Sequence, residues 1–457
     1  VIALLISVLV FVAAYAAGKR SIADGMKVVL AAGYGYGIAR ANILHPFSHF
    51  IADAAVAGLF LAQLFRPLST AERRRLSALR SWVIVLVLWP AVLFLLPVQD
   101  FLVQLVGLRG SILVLGFLIL GARMNGEDYY RLAVWCALLN VIAFGFAAAE
   151  YVVGIEPFYP RSDVTEIMYR SRLMLGGDAD QPVLYRIPAI FSSAHAFGGT
   201  MVITLPLLLG ALVGWQGFSS PRPSWHRYLL LASLPLTVLG VFMSAARQHA
   251  VMLFLLLAVT LVTGRMRTAY RIAWLAGLLM VGMLVAQNAR LQRFTTLEDD
   301  EMVRQRVQTS INDDFLGLAA QYPMGNGLGG GGTSMPYFLS QRVRLVGMLE
   351  NEYGRILLEQ GVPGLLLWIG FVGWVLSRGT LLGIGPWAFG RRLAWALVSA
   401  YFLTAVIGLG LLASIPQSYI LFTLTGWVGA RERRPLTASD AVSPAPPRLS
   451  LASMGSR

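Results

Sequence analysis

Apolar runs of membrane-crossing length recur along the whole chain, and this recurrence constrains the fold more than any single motif does. A bilayer core about 30 Å thick takes roughly 17 to 25 apolar residues as a helix. Helices are favoured there because each satisfies its own backbone within one segment. Such runs fall at approximately 1–17, 24–41, 49–65, 81–97, 103–121, 131–150, 188–213, 228–244, 248–264, 271–288, 354–377, 393–412 and 415–430. They predict an all-α polytopic membrane protein with about 12–13 transmembrane helices. Composition agrees, since 57% of residues are hydrophobic and 13% charged, against roughly 25% charged in a soluble domain. Residues 1–434 read as one integral membrane domain, and the Pro-, Ala- and Ser-rich stretch 435–457 as a disordered cytoplasmic tail.

Two runs need comment. The first is followed, not preceded, by its positive charge (Gly18-Lys19-Arg20), so it reads as a span and not as a signal peptide. In 24–41, Gly33, Gly35 and Gly37 interleaved with Tyr34 and Tyr36 make a poor helix, which leaves a re-entrant segment as the alternative.

Net charge is +14, yet the basic residues are scattered between spans, which argues against nucleic acid and for anionic membrane lipids. Lys19/Arg20, Arg66 with Arg73-Arg74-Arg75 and Arg80, Arg123, Arg222/Arg227, Arg265/Arg267/Arg271, Arg378/Arg391/Arg392 and Arg431/Arg433/Arg434 fall on alternate connections. That side is expected to be cytoplasmic. Two longer loops, about 151–187 and 289–352, then face the periplasm of a bacterium. Only two of the 37 basic residues are lysines. Arg suits bidentate phosphate recognition, and a GC-rich genome is the other explanation. The lone Cys136 excludes a disulfide framework, and no spacing suggests a cofactor or a metal.

Chemistry-bearing residues concentrate on the loop side. Arg161, Arg170, Arg172 and Arg186 lie in or beside the first loop, and Arg293, Arg304, Arg306, Arg342 and Arg344 in the second. Arg247, in Ser244-Ala245-Ala246-Arg247-Gln248-His249, sits between two apolar runs. It either faces an internal cavity or snorkels to the interface. His249 reads as a packed or interfacial histidine, while His195 opens a span after the first loop, where lining a cavity is one reading of it. Gly325-Asn326-Gly327-Leu328-Gly329-Gly330-Gly331-Gly332 lacks the Lys-Ser/Thr of a phosphate loop and reads as a mobile loop. Asn351 is a helix N-cap by type and place. Glu352, Arg355 and Glu359 are spaced to pair with one another along the helix that follows, and Pro363 is expected to kink or restart it. Glu350, just before that helix, is either a general base for a hydroxyl proton or a carboxylate favoured by the helix dipole.

The segment Glu350-Asn351, nine residues, Gly361-x-x-Gly364 resembles the His-Asn, nine residues, Gly-x-x-Gly signature of the O-antigen ligase and polymerase family of bacterial membrane glycosyltransferases. Tyr322 to Gly329 is similar to that family's Pro-x-Gly-x-Gly-x-Gly stretch, Met243 to Arg247 to its Ser-x-x-Arg element, and Arg186 through Phe197 to the span after its smaller outward loop. Together these cover roughly residues 185–380, in the family's order.

The resemblance implies a fold like the GT-C glycosyltransferases, in the inner membrane, with two larger periplasmic loops and the active face there. It implies transfer of a glycan from undecaprenyl diphosphate to a glycan or lipid A–core hydroxyl, with inversion and without metal or nucleotide. By this resemblance Glu350 is the catalytic base, and Arg247, Arg304, Arg306, Arg186 and Asn351 bind substrate. Glu350 stands where the family motif often has His, which favours a polymerase of surface or exopolysaccharide repeats over a ligase. A transporter of lipid-linked glycans is the main alternative of another class. It would spread ionisable groups through the spans and often show internal repeats, which are not visible here. A purely structural assembly subunit is a third class.

Overall fold

The computed structural model describes residues 1–170, 172–173, 184–217, 222–263, 315–332, 335–344, 351–381, 385–406, 408, 411–412 and 414–431. Within these the chain is helical, apart from a two-residue antiparallel ribbon that pairs Arg172 with Tyr185 and Leu173 with Leu184. The helices are α1 (Ile2–Arg20), α2 (Ile22–Asn42), α3 (Ile51–Leu64), α4 (Thr70–Leu76), α5 (Arg80–Phe94), α6 (Phe101–Ile112), α7 (Gly116–Arg123) and α8 (Gly126–Val153). They continue with α9 (Glu166–Arg170), α10 (Ala194–Val213), α11 (Ser224–Met243), α12 (Arg247–Thr263), α13 (Phe315–Gln321), α14 (Glu352–Ser377), α15 (Ala388–Thr404) and α16 (Gln417–Gly429).

Among the described residues, seven segments are long and apolar enough to cross a membrane, or eight if the bent pair α4–α5 is one span. The protein is therefore a multi-pass, all-helical membrane protein. Of the 13 runs expected from sequence, 271–288 lies outside the described residues, 103–121 is divided between α6 and α7, and each of the others overlaps a helix. Several of these, such as α16 with 13 residues, are shorter than a bilayer crossing.

Local chemistry explains the helix starts. Ser21 accepts from the Asp24 N–H at 2.9 Å to begin α2, and Asn125 forms a capping box with Asp128 to begin α8. The run 24–41 is not a poor helix. It forms one unbroken helix because its small residues face neighbours: a Cβ at Gly37 would overlap the Phe191 backbone. In a membrane such close approach replaces the hydrophobic force that drives helices together in water.

α10 is the central helix, with 89% of its apolar window buried against 17% for α1 at the edge. Around it, one polar hub joins four helices. Tyr34 donates to Asn140 Oδ1 at 2.7 Å, and the Asn140 amide donates to Thr204 and Thr237, each at 2.9 Å.

The bundle has two chemically distinct ends. At one, Arg75 donates to the carbonyls of Arg123 and Met124, and Arg391 to those of Trp427 and Ala430. Arg378 donates to Gly429 O, and Arg222 pairs with Glu127 at 2.7 Å. Cations here meet free carbonyls at helix C-termini, where the backbone dipole favours them. Arg75, Arg123, Arg222, Arg378 and Arg391, from several of the basic connections, thus gather at one end. The described part of the first long loop folds over the other end. Its Tyr159 hydroxyl donates to the Ala189 and Phe191 carbonyls. Burial pushes the Tyr169 phenol above its usual range, so it stays a donor, to Tyr159 O.

Candidate functional site

The site is built at the loop end, on the head of α14. Asn351 caps the helix, its Oδ1 accepting from the Gly354 N–H, as its type and place predict. One turn in, Arg355 lies between two carboxylates. Its Nε donates to Glu352 Oε1 at 2.9 Å, and its Nη1 is 3.8 Å from Glu359 Oε2. Glu352 is 0% exposed, Arg355 5% and Glu359 2%, so the mutual pairing expected from their spacing occurs in a dry interior. Glu359 also accepts from the Gly331 N–H at 3.2 Å.

Beyond the triad the helix breaks where Pro363 suggests it should. Gly361 adopts φ 70°, ψ −174°. An uninterrupted helix would bond the Val362 N–H to the Leu358 carbonyl. Here Val362 N donates to Pro323 O at 2.9 Å, and Leu358 O accepts from Asn326 N at 2.6 Å. The Pro323–Asn326 stretch thus inserts into the ladder and replaces one helical bond with two of its own. This corrects the mobile-loop reading of residues 325–332, because their backbone is what closes the helix gap.

Gln99, in the short connection between α5 and α6, secures the far side of the wedge. Its amide donates to Asn326 O at 2.8 Å and its Oε1 accepts from Arg344 N at 3.1 Å. Gly361→Ala is expected to lose about 1–3 kcal/mol from the positive φ alone, and more because its Cβ would overlap Pro323 O. A lowered unfolding midpoint in detergent checks it, and an unchanged midpoint would refute the wedge.

The second half of the site comes from α10, α12 and α15. Arg186 Nη1 is 3.1 Å from His195 Nε2, and His195 is exposed at the head of α10. Behind it, His249 is 3% exposed. Its ring centre is 5.7 Å from that of His195 and 6.3 Å from that of Tyr401. His249 is therefore packed, as expected, and His195 is the histidine that solvent reaches. Glu150, at the end of α8, supports this arrangement by accepting from the Ala189 N–H at 2.9 Å, where Ala189 is held at φ 52°. The Ser244–Arg247 element is a sharp α11–α12 corner with Ala245 at φ 50°, and half-buried Arg247 opens α12.

The two halves meet at the end of α15. Glu352 N donates to the carbonyls of Ala405 and Gly408 at 3.0 and 3.2 Å. Gln248, next to Arg247, packs against Gly408. Tyr353 donates to Phe402 O at 2.8 Å. Asn351 and Arg247, distant in sequence, thus flank one turn. Of the remaining expected site residues, Glu350, Arg304 and Arg306 lie outside the described residues. Arg186 and Arg247 offer forked donors suited to phosphate oxygens, and His195 offers a proton acceptor or donor. Motif spacing does not point to Glu150 or Gln99. The signal for Glu150 is a carboxylate inside an apolar run; Gln99 has none.

No known family model matches this chain, and neither does any curated protein.

Proposed function

We propose that the protein is a glycosyltransferase of the bacterial inner membrane that takes a glycan from undecaprenyl diphosphate at its loop end, on the periplasmic face. The observation that carries this reading is the meeting of the Arg247 corner with the capped head of α14 at the Ala405–Gly408 turn. Arg186 and His195 lie on the same end of the bundle. Basic residues at the opposite end support reading that end as cytoplasmic. Among the described residues, Arg186, His195, Arg247 and the Glu352–Arg355–Glu359 triad lie at that end, which supports an enzyme over a transporter.

In this reading an acceptor hydroxyl attacks the anomeric carbon and its proton passes to Glu350. The carbon–oxygen bond to the diphosphate breaks with its electron pair leaving on undecaprenyl diphosphate. Arg247 and Arg186, with Arg304 and Arg306 from the second loop, stabilise the growing charge on that leaving group. Attack opposite the leaving group inverts the anomeric centre. No metal is assigned a step.

The acceptor favoured is a second lipid-linked repeat, which makes the enzyme a polymerase of surface or exopolysaccharide. Purified protein incubated with an undecaprenyl-diphosphate-linked repeat unit, without nucleotide or metal, is expected to yield a ladder of longer lipid-linked chains. Transfer only after lipid A–core is added would make it a ligase. No transfer to either acceptor would remove the transferase reading.

A further inference from the structure

We propose that the polar cluster of Asp53, Arg109, Tyr36, Arg40, His49 and Tyr419 forms a carbohydrate-binding pocket, a subsite apart from the Arg186–His195 group. It lies between α2, α3, α6 and α16. Arg109 Nε is 2.9 Å from Asp53 Oδ2, and its guanidinium is 5.9 Å from the Phe50 ring centre. Arg40 lies over the Tyr36 ring at 5.4 Å, and Tyr36 donates to His49 O at 3.2 Å. Tyr419 feels the charges of both Asp53 and Arg109.

Arg109 is the ninth residue of α6, about 12 Å along the helix from its start. Its side chain nevertheless keeps 24% of its surface exposed. Asp53 is the third residue of α3, and a largely buried pair of this kind is costly unless further groups satisfy it.

The pocket differs from the polar hub at Asn140, where both the carbonyl and the amide of the side chain find protein partners. Apart from the Arg109 ion pair, neither oxygen of Asp53 has a hydrogen-bond donor. The same holds among the described residues for Arg40 Nε, His49 Nε2, Ser48 Oγ and the Tyr419 hydroxyl, each without a hydrogen-bond partner. Buried polar groups are normally satisfied, so this concentration points to a partner other than the protein.

The mixed character of the groups selects the ligand. Asp53 requires donors, which a phosphate dianion lacks, whereas the two guanidinium groups require acceptors. Sugar hydroxyls supply both. Aromatic faces border the pocket: His49 is 5.6 Å from the Tyr337 ring and 5.9 Å from the Phe338 ring. Those two rings are 38% and 37% exposed, open to the apolar face of a pyranose.

Gly107, two residues before Arg109, packs on the Leu328–Gly329 backbone, while Gly331 of the same segment contacts Glu359. The pocket and the head of α14 therefore flank one wedge. The pocket's role, holding the acceptor sugar, rests on the transferase reading, whereas sugar binding itself does not.

The test is hydrogen exchange on the full chain in lipid nanodiscs, with free hexoses, deoxyhexoses, N-acetylhexosamines and hexuronic acids as probes. At least one class is expected to protect the segments carrying Asp53, Arg109 and Tyr337. Asp53→Asn and Arg109→Gln should each weaken that protection about tenfold or more in apparent affinity, as for one hydrogen bond to a charged group. Protection by inorganic phosphate alone, by no sugar, or equally in wild type and Asp53→Asn would overturn the subsite. Sugar protection without any glycan transfer would keep the subsite and remove the transferase. Transfer with an unchanged acceptor KM in Asp53→Asn would keep the transferase and remove the pocket's acceptor role.

Discussion

Arg355→Ala is expected to lower stability by about 3–5 kcal/mol, the usual cost of breaking a buried ion pair from one side. The substitution leaves Glu352 and Glu359, 0% and 2% exposed, without the cation that lies between them. Their like charges would then face each other where water cannot enter to screen them. The effect should spread beyond the triad. Glu359 receives the Gly331 N–H, and Glu352 N anchors the Ala405–Gly408 turn, so the wedge and the end of α15 should loosen with the helix head. The midpoint of unfolding in detergent measures the first effect, and hydrogen exchange at the glycine segment the second. A loss below about 1 kcal/mol would place the triad among surface pairs that contribute little. Replacing all three residues together with apolar ones of similar volume should cost far less, because the pair's own gain is largely offset by its desolvation.

Arg247→Ala is expected to reduce glycan transfer about 10²- to 10³-fold, the range seen when one donor to a developing oxyanion is removed. The protein should still fold, since Arg247 is only half-buried at a helix start. Arg247→Lys should fall between wild type and Ala, because an ammonium holds charge but cannot fork onto two phosphate oxygens. The rate of ladder growth measures all three. Undiminished product from both Arg247→Ala and Glu350→Gln would sink the site assignment.

Part of this site was legible before any coordinates. Asn351 as a cap, the pairing of Glu352, Arg355 and Glu359, and a break near Pro363 all follow from spacing along a single helix, and all occur. Packing of His249 was legible from its apolar neighbourhood. The glycine segment was misread because flexibility is the default property of glycine. Whether that freedom serves motion or close packing depends on what lies opposite, here the gap at Leu358 and Val362. Residues 24–41 were misread for a related reason. Helix propensity counts against glycine, but a neighbour such as Phe191 can use the missing Cβ.

The sequence by itself determined that this is a multi-pass helical membrane protein, because run length and hydropathy are local properties that the bilayer reads one segment at a time. It also determined which connections are basic. Only the tertiary structure decided that Asp53 meets Arg109, that the Arg247 corner and Asn351 flank one turn, and that Gln99 braces the wedge. Those contacts join helices far apart in the chain. Lipid tails solvate every apolar face alike, so the order of packing is set by small residues, hydrogen bonds and ion pairs that match only in three dimensions.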